Sequence, residues 1–233
     1  MQKPRLMKLS FTPSERDAIL VHLFFIVLCA VVLLLPIPLF IGLRLFVLIV
    51  AYNLLIPVVG HWRNHPDWLS LWLLGFLLSL FMVVPDWFLA DPLGILVFLP
   101  DGFPKIGPVS GYMAGLWAIP IFIIVFLGQQ IADRYNAKYA YSVVAIVSLV
   151  LFTGAEAGLT FVWHAQNVYM IGPVALYIII PELILGLSSY WTYSFLKEKP
   201  QWWNLVAAFF LMLLYLGSAC FFHLVINKIV FNL

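Results

Sequence analysis

Apolar residues run along this chain in long blocks, broken by short polar or proline-bearing joints. A helix needs about 20 such residues to cross hydrocarbon. Seven blocks approach that length, near 17–36, 39–60, 67–85, 110–130, 139–160, 172–196 and 202–230. The first opens on Thr12-Pro13-Ser14-Glu15, which reads as an N-cap, a proline at the first helical position and a glutamate at the third. Only Pro36-Ile37-Pro38 separates the first two blocks, so a proline-kinked re-entrant pair competes there with two full spans. The pattern predicts an all-α, polytopic integral membrane protein with seven transmembrane helices in a single domain over 1–233. The first block is too long for a signal-peptide core, and no small-x-small cleavage pattern follows it. That span is expected to stay in the mature protein.

Composition sharpens this picture. The chain is 64% hydrophobic and 9% charged, with a mean hydropathy of +1.07. A soluble domain is about 25% charged. A net charge of +2 with no basic run gives no footing for nucleic acid. Cys29 and Cys220 both lie inside apolar blocks and read as small core residues. No C-x-x-C occurs, which removes redox and zinc-ribbon readings.

The cations orient the bundle. With the N-terminus in the cytoplasm, one face collects Lys3, Arg5, Lys8, Arg16, Arg63, Arg134, Lys138, Lys197 and Lys199. The other holds Lys105 and Lys228, and Arg44 falls within the second block. The positive-inside rule then predicts N-in and C-out, with a cytoplasmic tail of 16 residues and an extracytoplasmic loop over 85–109. That loop carries Ile95 to Leu99, short, apolar and partly β-branched, followed by the turn Pro100-Asp101-Gly102. A short hairpin or re-entrant flap over the bundle is expected, as a lid or as a passive cap.

Within so apolar a chain the acids stand out. A carboxylate in hydrocarbon costs a few kcal/mol, so it normally faces the bundle interior and has a partner. Asp86, Glu156 and Glu182 meet that description, all toward the outer half on the predicted topology. Glu156 is flanked by Gly154 and Gly158, a spacing that lets a neighbouring backbone approach. Were its helix to continue, Thr160 and Trp163 or His164 would share its face. Glu182 follows Pro181, which frees the carbonyl of Tyr177, and Gly186, Ser189 and Tyr193 follow on its stripe. Arg44 and His223 are the candidate partners for it. The alternative for each acid is a structural pair that only sets helix packing. Trp117, Trp163 and Tyr177, with Tyr112, Tyr190 and Tyr215, lie near the candidate pocket faces. His61 and His65 have i, i+4 spacing, but Pro66 spoils the helix and only Asp67 stands near as a third ligand. No metal site and no cofactor are expected.

Buried polarity gathered toward one leaflet favours a pocket over a pore. Glu156 and Glu182 are the candidate acid and base, tuned by Asp86 and His164. Arg44, Trp117, Trp163, Tyr177 and His223 are candidate substrate contacts, with aromatic faces suited to passing positive charge. In size and span count the chain resembles the membrane-integral terpene cyclases, small seven-helix proteins with essential acids. That resemblance implies an isoprenoid substrate and a cyclase-type reaction, and it transfers no residue. P-D-W-F-L, L-G-I-L-V-F and I-G-P-V-S-G-Y-M-A-G-L-W-A-I-P-I-F look like segments of bacterial membrane proteins, which implies a bacterial inner membrane. The expected partner is a membrane lipid or isoprenoid, with a homo-oligomer open. A small proton-coupled transporter and a non-catalytic membrane subunit are the competing readings.

Overall fold

The computed structural model describes residues 11–233, so Lys3, Arg5 and Lys8, with most of the predicted tail, lie outside the described residues. Helix α1 spans Pro13–Leu34, α2 Ile41–Trp62 and α3 Pro66–Ala90. Helix α4, Met113–Leu116, runs on into α5, Ala118–Arg134. Helix α6 spans Ala137–Gly158, α7 Leu176–Leu196 and α8 Trp203–His223, which continues as a π-helix over Leu224–Val230. The α1 start is the one read from sequence: Thr12 Oγ1 accepts from the Glu15 N–H, and Glu15 Oε2 accepts from the Thr12 N–H.

Among the described residues, six helical segments are long and apolar enough to cross a membrane: α1, α2, α3, α4 with α5, α6, and α8 with its extension. This is an integral membrane protein. Helix α7, the remaining block of the seven expected, is not among the six, because Pro181, Glu182 and the polar and aromatic run over 188–194 lower its hydropathy. It packs on α5, α6 and α8, and it buries Glu182, Ser189, Tyr190 and Tyr193. An interior helix is shielded from lipid by its neighbours, so its polar side chains escape most of the hydrocarbon penalty. Close approach of α6 and α7 depends on Gly186, where a Cβ would lie 1.9 Å from Ser148 Oγ.

Two helix ends differ from the sequence expectation. Helix α3 passes through Pro85 and ends at Ala90, so Asp86 lies in its last turns and not beyond it. A proline costs the helix one hydrogen bond, that of the Phe81 carbonyl, which the rest of a long packed helix survives. Helix α6 stops at Gly158, so Glu156, Thr160, Trp163 and His164 do not form one helical stripe. Nor does another backbone close on Gly154 and Gly158: nothing lies within 4 Å of a Cβ at either.

The loops that follow α3 and α6 join in a small strand cap. Strand β1, Leu96–Phe98, pairs antiparallel with β4, Trp163–Ala165, setting Val97 opposite His164. Strands β2, Lys105–Ile106, and β3, Val109–Ser110, form a tight hairpin that turns through Gly107 at φ +61. Strands β5, Met170–Ile171, and β6, Val174–Ala175, form another just before α7. The hairpin expected over 85–109 is therefore confined to 105–110. The apolar run at Ile95–Leu99 takes its partner from the distant second loop, because its own flank, Pro100-Asp101-Gly102, turns the chain away.

Asp101 fixes that turn. Its Oδ2 accepts from Ser110 Oγ and Tyr112 OH, both at 2.6 Å, and Oδ1 accepts from the Phe103 N–H at 2.9 Å. Its carbonyl receives the Gly42 N–H, tying the cap to the start of α2. Burial alone would raise the Asp101 carboxyl. The donors from Ser110, Tyr112 and Phe103, with Lys105 nearby, outweigh burial and hold it below its ordinary value. At the opposite end of the bundle Asp17 pairs with Arg63 and His65, each at 2.8 Å, and Arg134 pairs with Glu15. His65 Nε2 thus has the Asp17 carboxylate as its partner.

Candidate functional site

Beneath the β1–β4 ladder lies a cavity of about 270 Å³, walled by α3, α4, α5, α6, α7 and α8. Asp86, Glu156 and Glu182 all line it. Three acids drawn from three separate helices therefore reach one chamber. Two of them share a local device. Pro85-Asp86 and Pro181-Glu182 each place a carboxyl directly after a proline inside a helix. The missing N–H frees a carbonyl one turn back and loosens the helix where the acid projects.

Each acid has a different neighbourhood. The Trp117 indole Nε1–H donates to Asp86 Oδ2 at 3.3 Å. Trp117 itself sits at the joint of α4 and α5, where its backbone N–H donates to Ser79 Oγ at 3.0 Å. The Trp163 indole Nε1–H donates to Glu156 Oε1 at 3.1 Å, from the strand cap down to the end of α6. Glu182 is 3% exposed, and its Oε2 has no hydrogen-bond partner among the described residues. No lysine, arginine or histidine appears among the described residues that line the cavity.

Aromatic rings supply much of the remaining wall. Trp117 packs edge-on to Tyr215, with ring centroids 5.4 Å apart, and tilts against Phe152 at 5.7 Å. Trp163 and Phe98 close the chamber from the cap, and Tyr177 from the first turn of α7. Leucine, isoleucine and methionine complete it, so the acids are set in an otherwise apolar surface.

The predicted site divides here. Glu156, Glu182, Asp86, Trp117, Trp163 and Tyr177 converge on the cavity. His164 does not line it. Its strand neighbours Trp163 and Ala165 do, and successive strand residues point to opposite faces. Arg44 is not the counterion of Glu182. Its guanidinium donates to the carbonyls of Val32, Leu33, Leu35, Ile37 and Leu39, closing the end of α1 and the joint after it. His223 does not meet Glu182 either. Its Nδ1 lies 2.9 Å from Asn227 Nδ2, and its ring stands edge-on behind Tyr177 at 5.5 Å. Tyr215, expected near the pocket faces, also belongs to the wall. Its signal was a lone phenol in the apolar run of α8. Phe98 could not have been found from periodicity, because a three-residue strand carries none.

Fold and cavity together define a class: a membrane-embedded helical bundle with an acid-lined, aromatic chamber under a strand cap. Residues 83–226, more than half of the chain, match the family described as Domain of unknown function (DUF6989), and the chain belongs to that family. The matched segment contains Asp86, Glu156 and Glu182 and both cap loops, and it leaves out α1 and α2. No curated protein and no solved structure matches the chain.

Proposed function

We propose that this protein is an integral membrane enzyme that performs carboxyl acid–base chemistry on a lipid-soluble, isoprenoid-like substrate, as a cyclase would. It acts in a bacterial inner membrane as a seven-span bundle, N-in and C-out, with the strand cap on the extracytoplasmic side. The observation that carries this reading is the meeting of Asp86, Glu156 and Glu182 in one apolar, aromatic-walled cavity. A purely structural acid in a membrane is expected to have its own partner, and Glu182 Oε2 has none among the described residues.

The roles follow from the hydrogen bonds. Glu182, with no N–H or cation beside its Oε2, is the proton donor. Its O–H transfers a proton to an alkene carbon of the substrate, and the alkene π pair forms the new C–H bond. The cation left on the neighbouring carbon is captured by the π pair of a second alkene, which closes a ring. A proton lost from the adjacent carbon restores a double bond and passes to Asp86 or Glu156, whose indole donors orient them as acceptors. The proton returns to Glu182 within the carboxyl group set. Atoms balance as an isomerisation, without a co-reactant. Trp117, Trp163, Tyr177 and Tyr215 face the transient positive charge.

A carrier is less well supported. Several polar groups away from the cap are paired locally and line no path: Asn53 with Ile49, Gly115 and Trp72, His22 with Ala18 and Tyr52, and Gln129 with Ser194. The test is expression in a bacterial host followed by mass spectrometry of lipid extracts. The wild type should produce a lipid of unchanged mass and altered retention, absent with Glu182→Gln. Well-expressed wild type that generates no such isomer would refute the enzyme reading.

A further inference from the structure

We propose that this cavity is a receptor for a lipophilic organic cation, a tertiary or quaternary ammonium carrying an apolar tail. Asp86, Glu156 and Glu182 line one chamber, and no cationic side chain lines it with them among the described residues. Two of the acids accept indole N–H groups, which carry no positive charge. The third, Glu182, is buried with Oε2 unpartnered. A ligand with one positive charge would give the unpartnered carboxyl a partner and favour its ionised form.

The rest of the wall selects the kind of cation. The three acids come from three helices, and no group of three His, Cys, Asp or Glu among the described residues is arranged to hold a metal ion. A bulky, diffuse cation fits acids spread over a chamber, whereas a compact ion needs them gathered. The chamber is otherwise hydrocarbon and aromatic, which disfavours a strongly hydrated ammonium and favours an alkylated one. The indole of Trp117 and the phenol of Tyr215 stand at 65° to each other, offering an angled pair of rings of the sort that quaternary ammonium sites use.

This inference rests on the cavity of the preceding proposal but not on turnover: an ammonium and the reaction's carbocation carry the same charge in the same place. The probe is isotope-labelled decyltrimethylammonium, with the protein in neutral maltoside micelles and binding counted after gel filtration. Its control is the carbon isostere, in which a quaternary carbon replaces the nitrogen. The ammonium should bind saturably, and Glu182→Gln should weaken it about tenfold, the scale of one charge-assisted contact. Asp86→Asn and Glu156→Gln should each weaken it too, and they decide the matter if Glu182→Gln does not fold. The isostere should bind all four proteins alike. Equal binding of ammonium and isostere to the wild type, or ammonium binding unchanged in every folded variant, overturns the inference. Lost isomer formation with undiminished ammonium binding in Glu182→Gln would overturn it and spare the enzyme reading. Carboxyl-dependent ammonium binding without any isomer would do the reverse.

Discussion

Glu156 and Trp163 meet across a broken helix: the indole N–H of Trp163, on a strand of the cap, donates to a carboxyl two residues before the end of α6. The cap is thereby tied to an acid of the chamber and not merely laid over it. Trp163→Phe keeps an aromatic wall and removes the donor. We expect a stability loss of only about 1 kcal/mol, typical of one hydrogen bond. Isomer formation should fall by about tenfold, the effect of misplacing a proton-transfer group. Thermal melts and the lipid-extract assay separate the two effects. An unchanged isomer yield would detach Trp163 from the mechanism.

Gly186 sets how closely α6 and α7 approach, and both helices wall the cavity. A methyl at Gly186 would overlap Ser148 Oγ at 1.9 Å and Ser148 Cβ at 2.8 Å. Gly186→Ala should destabilise the bundle by about 1–3 kcal/mol, as overpacking does. Adding Ser148→Ala removes the hydroxyl but leaves its Cβ in place, so rescue should be partial. Thermal unfolding in detergent checks both variants. Full rescue would mean that the helices repack more freely than their packing indicates.

The sequence showed its acids because their surroundings are so apolar. Glu156, Glu182 and Asp86 each interrupt a hydrophobic block, and the expectation that such groups turn inward rests on solvation alone. Trp163 does lie beside Glu156, but it arrives on a cap strand and not along the helical stripe expected. Partners across space are harder to choose. Charge and depth match Arg44 and His223 to Glu182. Backbone carbonyls at a helix end satisfy a guanidinium equally well, and Asn227 satisfies an imidazole one turn away. The cap was half legible. Residues Pro100-Asp101-Gly102 announced a turn, but pairing of β1 with β4 joins loops separated by three helices, and strands this short leave no register signal.

Arg44 closes the joint between α1 and α2 by donating to carbonyls that no helix satisfies. Arg44→Ala removes the donor to the Leu39 carbonyl, while the Leu35 and Ile37 carbonyls keep the N–H groups of Ile37 and Leu39, so the cost should be about 1–2 kcal/mol. Limited proteolysis should show faster cleavage near residues 35–40, and isomer formation by the surviving folded protein should be unchanged. A selective loss of isomer with no change in cleavage would return Arg44 to the substrate site.

Asp101 gives the cap its pH dependence. Its folded-state value lies below its ordinary one, so its stabilisation is fully present above the unfolded value of about 4. That stabilisation is lost as pH falls through the folded value. The cap should resist protease from pH 5 upward and loosen in acid. Asp101→Asn should loosen it at neutral pH and flatten the acid response, because an amide N–H₂ facing Ser110 Oγ and Tyr112 OH replaces an acceptor. Protease resistance measured against pH reads the outcome. An identical acid response in the variant would assign the transition to another group.

Two orphan oxygens on α7 offer the sharpest contrast. Ser189 Oγ, like Glu182 Oε2, is buried without a hydrogen-bond partner among the described residues. The two residues lie two turns apart on one face, yet only Glu182 lines the cavity. An unsatisfied hydroxyl in packed surroundings only costs stability, so replacing it with a methyl should be neutral or favourable by up to about 1 kcal/mol. Ser189→Ala should therefore melt no lower than the wild type and make the isomer normally. Glu182→Gln should melt close to the wild type, because a neutral amide replaces an acid without a partner, and make none. If instead Ser189→Ala lost the isomer and Glu182→Gln kept it, the working oxygen on α7 would be the hydroxyl, and the chamber would have to extend two turns deeper toward the other leaflet.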